Sequence, residues 1–237
     1  MKRRLPEEYE EPHLNRVRIT PDVQIILTSH ALTTANEEIM GLLLGSFCED
    51  REKQHRGTII RETEVISVSV LRRMEKSPDR VEINSEQLTE AQAEAERLSS
   101  QLKRTINVVG WYHSHPNITA PPSFVDVRTQ ASYQQLDRSF VGLIVSCFNK
   151  SPDRTQRVRI LAFQAVKSIS SPKESMDTSL DNEYEVLHRE GLSYATIPVL
   201  VDPYLLVDHN CLSRVCDVEE KMMEEETEAY ERYSQRG

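Results

Sequence analysis

Four polar residues in one short stretch of the sequence have the types and the spacing of a hydrolytic metal site. They are His113, His115, Ser123 and Asp126, in the pattern His-x-His-x7-Ser-x2-Asp. Alternate residues of a β-strand point to the same face, so the two imidazoles can bind one metal ion, and the carboxylate of Asp126 can add a third ligand. Three protein ligands leave a fourth position for water, which is typical of catalytic zinc. The pattern therefore predicts a catalytic Zn2+ site.

Hydrolysis at such a site also needs an acid/base group and a donor for the developing negative charge. Zinc lowers the pKa of bound water from about 15.7 towards about 7, and one glutamate beside that water can serve both proton transfers. Two candidates, Glu37 and Glu38, stand at the start of an apolar segment, where packing does not explain an acid. The Ser123 hydroxyl would donate to the oxyanion, a role worth roughly 3 kcal/mol in comparable sites.

Each of these residues also has a simpler structural interpretation. A His-x-His pair is usually incidental, and Glu38 is also explained as a solvated strand end. The Ser123-x-x-Asp126 spacing is that of a capping box, in which the two residues open a helix. Capping and metal ligation by Asp126 are partly exclusive, because both use one carboxylate. The specificity lies in the combination of residues rather than in any one of them.

The predicted elements around the site are those of an α/β domain. Residues 106–113 and 38–46 are short, apolar and bounded by turn residues, which indicates strands buried on both faces. The spacing of apolar residues predicts helices over 85–102 and 123–136. A further helix begins at Thr20, where Thr, Pro and Asp follow one another, and continues to 35–36.

The remaining segments are less regular. We expect a polar turn over 48–57, an edge strand over 157–163 and a second edge strand over 197–201 that tolerates its proline. The charged segment 72–84 is expected to be a loop or insertion, and the polar segment 166–183 a disordered loop.

These patterns divide the chain into three parts. Residues 1–14 are charged and aperiodic and are expected to form a mobile leader. Residues 15–201 would form the catalytic domain. Residues 202–237 would form a C-terminal helical segment, in which apolar residues such as Val218 and Met222 form a stripe beside dense glutamates. Such a stripe commonly packs on a sheet, and a helical bundle is the alternative that we favour.

Composition excludes several classes of protein. The net charge is −9 across 237 residues, which disfavours nucleic acid as the main partner. The four cysteines show no CxxC pairing, as is usual for free thiols in a reducing compartment. No apolar run approaches the roughly 18 residues of a membrane span, and the N-terminus lacks the apolar core of a signal peptide. We therefore expect an intracellular, soluble protein that binds neither nucleic acid nor membrane.

The set Glu38, His113, His115, Ser123 and Asp126 resembles the JAMM motif of the MPN+ zinc metalloproteases. This resemblance implies an MPN (JAB1/MPN-like) domain, in which a mixed β-sheet is flanked by helices and followed by a C-terminal helical extension. It also implies that His113, His115 and Asp126 bind one zinc ion, that Glu38 is the acid/base, and that Ser123 stabilises the oxyanion.

Further segments resemble one branch of that family, the BRISC-type deubiquitinase subunits. These segments are 37–42, 79–83, 108–116 and 123–130. The resemblance implies hydrolysis of the isopeptide bonds of lysine-63-linked polyubiquitin, within a BRISC- or BRCA-A-type complex. It further implies an obligate partner, a catalytically inactive MPN subunit of the Abraxas type, in a heterodimer or a dimer of heterodimers.

The chain departs from that branch in the loop after the two histidines. It has Asn117, Pro121 and Phe124 where relatives have His, Trp and His. None of the three is a predicted ligand, so the departures concern substrate contacts rather than the chemistry.

The alternative function is that of an MPN-domain scaffold subunit without activity of its own. Such domains typically lack one or more of the metal ligands, and this chain lacks none.

Overall fold

The protein is described here from a computed structural model, which covers residues 9–55, 58–72, 85–149, 157–169, 191–202 and 211–234. Within these ranges the chain forms one mixed β-sheet with helices on both faces. The strands are β1 (Arg16–Ile19), β2 (Met40–His55), β3 (Thr58–Val70), β4 (Asn107–Pro116), β5 (Val141–Cys147), β6 (Arg159–Lys167), β7 (Leu192–Ile197) and β8 (Val199–Val201). The helices are α1 (Pro21–Ala31), α2 (Ser85–Leu102), α3 (Phe124–Leu136) and α4 (Cys211–Ser234).

The sheet is strongly curled. Its strand order is β7-β6-β5-β4-β2-β3-β1-β8, with parallel pairing of β4 to β5 and of β1 to β3 and β8. The two end strands, β7 and β8, are separated in sequence only by Pro198. A flat sheet of eight strands spaced about 4.8 Å apart would hold those ends far from each other, so the sheet must bend until they meet. The sequence predicted one edge strand over 197–201 that includes the proline; the structure instead has two edge strands, β7 ending at Ile197 and β8 beginning at Val199, with Pro198 between them.

Each face of the sheet carries its own hydrophobic core. One core joins the sheet to α1 and α4 and contains Leu27, Tyr112 and Met222. The other joins it to α2 and contains Leu98 and Trp111. Because Trp111 and Tyr112 are consecutive residues of β4, this strand is buried on both faces, which confirms the prediction made from its continuous apolar run.

The helix boundaries follow local capping chemistry. Thr20 caps α1 by accepting a hydrogen bond from the Val23 N–H at 3.3 Å, and Pro21 is the first helical residue, as predicted. The helix ends at Ala31, earlier than expected, because Thr33 turns back and bonds the His30 carbonyl through both its N–H and its hydroxyl. Helix α2 has the predicted bounds. None of the helices in the ranges above is long and apolar enough to cross a membrane.

Two predictions about the strands are wrong. The expected turn at 48–57 is strand as far as His55, because β2 and β3 form a long antiparallel hairpin in which Cys48 pairs with Glu62 and Asp50 with Ile60. The strand expected at an edge, now β6, lies between β5 and β7. The sequence interpretation did not include β7, which covers that side of β6.

The expected mobile leader is also wrong for its second half. Glu10 donates a backbone hydrogen bond to the Lys167 carbonyl at 2.8 Å, and Leu14 is buried with its N–H on Gln164 Oε1 at 2.9 Å. The buried side chain of Leu14 packs in the hydrophobic core and so holds residues 9–14 against the sheet. Residues 1–8 lie outside the described ranges, as do 73–84 of the predicted insertion and 170–183 of the predicted loop. The predicted loop was expected to begin at Val166, but Val166 and Lys167 belong to β6.

Candidate metal centre

The two histidines are held by the centre of the sheet. His113 pairs with Met40 of β2 on one side and with Ile144 of β5 on the other, and His115 pairs with Ser146 of β5. Both are 2% exposed, so their imidazoles lie in a part of the molecule where an unpaired polar group is costly. The strand position explains why they share one face, since they are two residues apart.

Three side chains converge at this point. His113 Nε2 lies 3.0 Å from His115 Nε2, and Asp126 Oδ1 lies 3.2 Å from His113 Nε2. Asp126 Oδ2 lies 3.4 Å from His115 Nε2. The sequence predicted these three residues as a ligand set, and the fold brings them together as a buried group whose ligand atoms all lie within 4.8 Å of one another.

The donor set fits a zinc ion. Ligands of tetrahedral zinc, each about 2.0–2.2 Å from the ion, lie roughly 3.3–3.6 Å from one another. The two imidazole nitrogens are 3.0 Å apart, and each lies close to that spacing from one oxygen of the Asp126 carboxylate, His113 Nε2 at 3.2 Å from Oδ1 and His115 Nε2 at 3.4 Å from Oδ2. Two imidazole nitrogens that face each other at 3.0 Å cannot both carry a proton without a clash, whereas both can donate lone pairs to one cation. Two imidazoles and a carboxylate are ligands that zinc commonly takes.

Asp126 both caps a helix and faces the histidines. Ser123 is the N-cap of α3 and forms a capping box with Asp126: the Ser123 hydroxyl accepts from the Asp126 N–H at 3.2 Å. In return the Ser123 N–H donates to Asp126 Oδ2 at 2.7 Å. That leaves Oδ1 turned towards His113. The capping bond therefore uses Oδ2, which also lies 3.4 Å from His115 Nε2, and does not use Oδ1.

The ionisation of the site reflects this close grouping. Burial raises the pKa of Asp126, but the charge of His113 and hydrogen bonds from His113, His115 and Ser123 outweigh it and hold that pKa well below its usual value. Burial lowers the pKa of His115, but its hydrogen bonds to Asp126 and to the Thr119 carbonyl, with the charges of Asp126 and Glu38, raise it overall. A carboxylate that stays ionised is the form that binds a cation.

Glu38 reaches this site through its neighbour in the chain. The Ile39 N–H donates to Ser114 Oγ and the Ser114 N–H donates to the Ile39 carbonyl, both at 3.0 Å. This reciprocal pair fixes the segment before β2 against the strand that carries the histidines. Ile39 is buried and Glu38 is exposed, so the carboxylate remains in contact with solvent. The charge of Glu38 contributes to the raised pKa of His115.

Other contacts at the site could not be found from residue types. The Thr119 carbonyl accepts from His115 Nδ1 at 2.7 Å, and backbone oxygens have no signal in a sequence. Ser114 was part of the motif, but its side chain had no predicted role. Asn117, one of the departures from the family pattern, has a positive φ of 59° and donates from Nδ2 to the Ala35 carbonyl at 3.1 Å. It therefore connects the loop after His115 to the segment that leads to Glu38.

Comparison with known proteins gives a consistent result. Residues 12–139 match the family described as JAB1/Mov34/MPN/PAD-1 ubiquitin protease, and this segment includes every residue of the candidate site. The chain is similar to the Lys-63-specific deubiquitinase BRCC36 of Mus musculus, with 38% identity over 231 residues, which are 91% of this chain and 73% of the mouse protein.

Two further relatives with the same name are similar to this chain. The human protein is 37% identical over 241 residues, covering 91% of this chain and 75% of its own. The protein of Camponotus floridanus is 41% identical over 194 residues, covering 81% of this chain and 69% of its own.

Proposed function

This chain belongs to the JAB1/Mov34/MPN/PAD-1 ubiquitin protease family, and on that basis we propose that it is a zinc-dependent deubiquitinase. Its substrate is lysine-63-linked polyubiquitin, whose isopeptide bonds it hydrolyses. The observation that carries the proposal is the convergence of His113, His115 and Asp126 at the start of the helix that Ser123 caps. The name shared by the similar mammalian and insect proteins supports the choice of linkage.

In this proposal His113 Nε2, His115 Nε2 and Asp126 Oδ1 hold the zinc ion. When bound, zinc supplies Lewis-acid polarisation of the scissile carbonyl and activation of water at its open position. The protein contributes a rigid frame, because both histidines are in a central strand and Asp126 is fixed by the capping box. Such fixed positions matter, since a displacement of about 1 Å can cost about 100-fold in rate.

Glu38 moves the protons in this scheme. Its carboxylate takes a proton from the attacking water as the oxygen joins the carbonyl carbon, and returns it to the lysine amine as the C–N bond breaks. The exposure of Glu38 supports this role, because the group must meet both water and substrate. Glu37, the other acid considered from the sequence, is also exposed and gives a matched comparison.

Ser123 stabilises the oxyanion that forms between these steps. As a helix cap its oxygen accepts a hydrogen bond, which uses a lone pair and leaves the hydroxyl proton to donate. The side chain is exposed at the start of α3, next to Asp126, where a substrate carbonyl can approach. The cap and the oxyanion donor are therefore compatible in one residue.

A partner subunit completes the proposal. We infer a heterodimer, or a dimer of heterodimers, with a catalytically inactive MPN subunit of the Abraxas type, in a BRISC- or BRCA-A-type complex of the cytoplasm and nucleus. The C-terminal segment 202–237, in which the structure describes α4, would form the contact as part of a helical bundle with that subunit, after the catalytic domain of 15–201. Support comes from α4, where Met223 and Tyr230 are each 71% exposed and lie seven residues apart on one face.

The competing function is an MPN scaffold that assembles a complex without activity. The complete set of five residues argues against it, because a scaffold has no need to bring two buried imidazoles and a carboxylate together. A scaffold also has no need for an exposed acid beside that group.

The proposal is tested by incubating the chain and its partner with lysine-63-linked di-ubiquitin. We expect Glu38→Gln to lose at least about 100-fold in kcat, because the amide cannot take the proton, while zinc content stays at the wild-type level. Glu37→Gln is the control and should cleave at close to the wild-type rate. Undiminished cleavage by Glu38→Gln would overturn the assignment of the acid/base, and wild type that never cleaves would favour the scaffold.

A further inference from the structure

The two imidazoles of the candidate zinc site are oriented in different ways. A metal-bound histidine commonly donates its second ring N–H to a carbonyl or carboxylate, which fixes the ring and its tautomer. His115 follows that rule through the Thr119 carbonyl at 2.7 Å. His113 does not: its Nδ1 is buried, and no hydrogen-bond partner lies in reach among the residues that the structure describes. Something other than a hydrogen bond must orient this ring.

The indole of Trp111 lies flat against that ring. Trp111 and His113 are two residues apart on β4, with ring centroids 4.7 Å apart and planes inclined by 12°. This is offset aromatic stacking, which restricts rotation of the imidazole about its χ2 axis. Tyr133 and Phe163 meet the indole edge-on at 6.0 and 6.3 Å, so the stacked pair is enclosed.

The indole is itself fixed by a buried amide of α3. Trp111 Nε1 donates to Gln130 Oε1 at 2.8 Å, and Gln130 is fully buried. The Gln130 amide donates to Gln134 Oε1 at 2.9 Å and to the Phe140 carbonyl at 2.7 Å, so its orientation is fully determined. Gln134 in turn accepts from the Ala165 N–H of β6 at 2.7 Å.

Helix α3 therefore acts on the metal site twice. Asp126 and Gln130 are four residues apart and both buried, so they lie on the same face of the helix. Asp126 offers a ligand directly, and Gln130 acts through Trp111 on the ring of His113. We propose that Trp111 and Gln130 are positioning residues, which hold His113 Nε2 at the zinc ion by stacking instead of by a hydrogen bond to Nδ1. This inference rests on the zinc site of the proposed function.

The chain offers a direct probe of this arrangement. Trp111 is its one tryptophan, so the intrinsic tryptophan fluorescence of the protein comes from the residue stacked on His113. We expect zinc to change that emission as it binds. A titration of the full chain, with a competing chelator of known affinity, then gives the dissociation constant for zinc.

The chain also offers a matched control. Gln164 is fully buried like Gln130, and its amide donates to the same Phe140 carbonyl at 3.0 Å, but its other partners are Leu14 and Arg138. Replacing either glutamine with Met removes buried hydrogen bonds at similar volume. We expect Gln130→Met to raise the dissociation constant for zinc about 10- to 100-fold, the range seen when such supporting groups are removed. Gln164→Met should keep the wild-type dissociation constant for zinc, even if it lowers the melting temperature as much as Gln130→Met does.

A second pair of variants applies if Gln130→Met does not fold. Trp111→Phe keeps a ring on His113 but loses the bond to Gln130, and Tyr112→Phe removes a comparable buried bond, to His30 Nδ1 at 2.8 Å, on the other face of β4. Chelator competition should find weaker zinc binding in Trp111→Phe alone. If Gln130→Met binds zinc as tightly as Gln164→Met, or, where that pair does not fold, Trp111→Phe binds zinc as tightly as Tyr112→Phe, the inference is overturned and the proposed function stands. A wild-type chain that binds no zinc would overturn both.

Discussion

At the scale of single residues, Ser123 and Asp126 each have two roles, because they form the capping box of α3 and also belong to the candidate metal centre. Strand periodicity predicted that His113 and His115 share one face, and the residue pattern added Asp126 as a third ligand. Neither could predict which oxygen of Asp126 accepts the capping bond, because that depends on the angle at which α3 starts relative to β4. Nor could it predict the Thr119 carbonyl or the stacked indole, since neither is a property of residue type at a given spacing.

Ser123 gives a test that separates its two functions. Replacing Ser123 with Ala removes both the cap and the donor, whereas Gly at an N-cap costs only a few tenths of a kcal/mol compared with about 1 kcal/mol for Ala. We therefore expect Ser123→Gly to be more stable than Ser123→Ala. Both should lose about 100- to 1,000-fold in kcat, because both lack the hydroxyl. Urea unfolding and di-ubiquitin cleavage are the two measurements, and an activity that follows stability across the pair would contradict the role of Ser123 as a donor.

At the scale of elements, the strongly patterned segments were predictable and the irregular ones were not. Helices α1 and α2 begin where capping residues and apolar spacing indicate, and β4 is buried on both faces as its apolar run indicates. The β2–β3 hairpin extends beyond the expected turn because the backbone pairing of the two strands continues through Asp50 and Ile60 to His55 and Thr58. Local patterns do not reveal such pairing, since it depends on the partner strand.

The contact between β2 and β4 has a specific steric requirement. Gly41 pairs with Tyr112, and a Cβ on Gly41 would lie 2.3 Å from Tyr112 Cε1. The ring has little freedom to withdraw, since it is fully buried and its hydroxyl contacts His30.

Substitution at this contact should therefore be costly and coupled. We expect Gly41→Ala to lower the free energy of unfolding by about 1–3 kcal/mol through overpacking. The same change should cost clearly less in a Tyr112→Leu background, where the ring is absent. Denaturant unfolding of the two single variants and the double variant measures that coupling, and an equal cost in both backgrounds would show that the ring is not the obstacle.

At the scale of the whole molecule, the curled sheet and its two cores account for the placement of the site. The end strands β7 and β8 meet around Pro198, a closure that no local pattern predicts. Helix α4 packs Val218, Met222 and Glu225 against the domain, which explains most of its amphipathic pattern without a partner. Met223 and Tyr230 remain exposed, and this residue pair is the part of the pattern that internal packing does not explain.

That pair gives a prediction about assembly. We expect the double variant Met223→Ser and Tyr230→Ser to keep the wild-type stability of the chain within about 0.5 kcal/mol, since both side chains are exposed. It should bind the inactive MPN partner at least about 10-fold more weakly, because it loses two apolar contacts. Analytical ultracentrifugation or titration calorimetry measures the affinity.

The matched control uses the same helix. Glu224 and Glu231 are also exposed and seven residues apart, but lie about 100° further round the helix axis. The double variant Glu224→Gln and Glu231→Gln should leave partner affinity close to wild type. If the two double variants bind the partner equally well, this face of α4 is not the contact.

Whether His113, His115 and Asp126 bind zinc is tested directly by the zinc content of the purified chain, measured after reconstitution with zinc and removal of the excess metal. We expect about one zinc ion per chain in the wild type. We expect a small fraction of that in Asp126→Asn, whose amide oxygen can still accept from Ser123 but whose amide nitrogen is an N–H donor and not a ligand. A wild type without zinc, or an Asp126→Asn variant that holds as much zinc as the wild type, would contradict the assignment of these residues as zinc ligands.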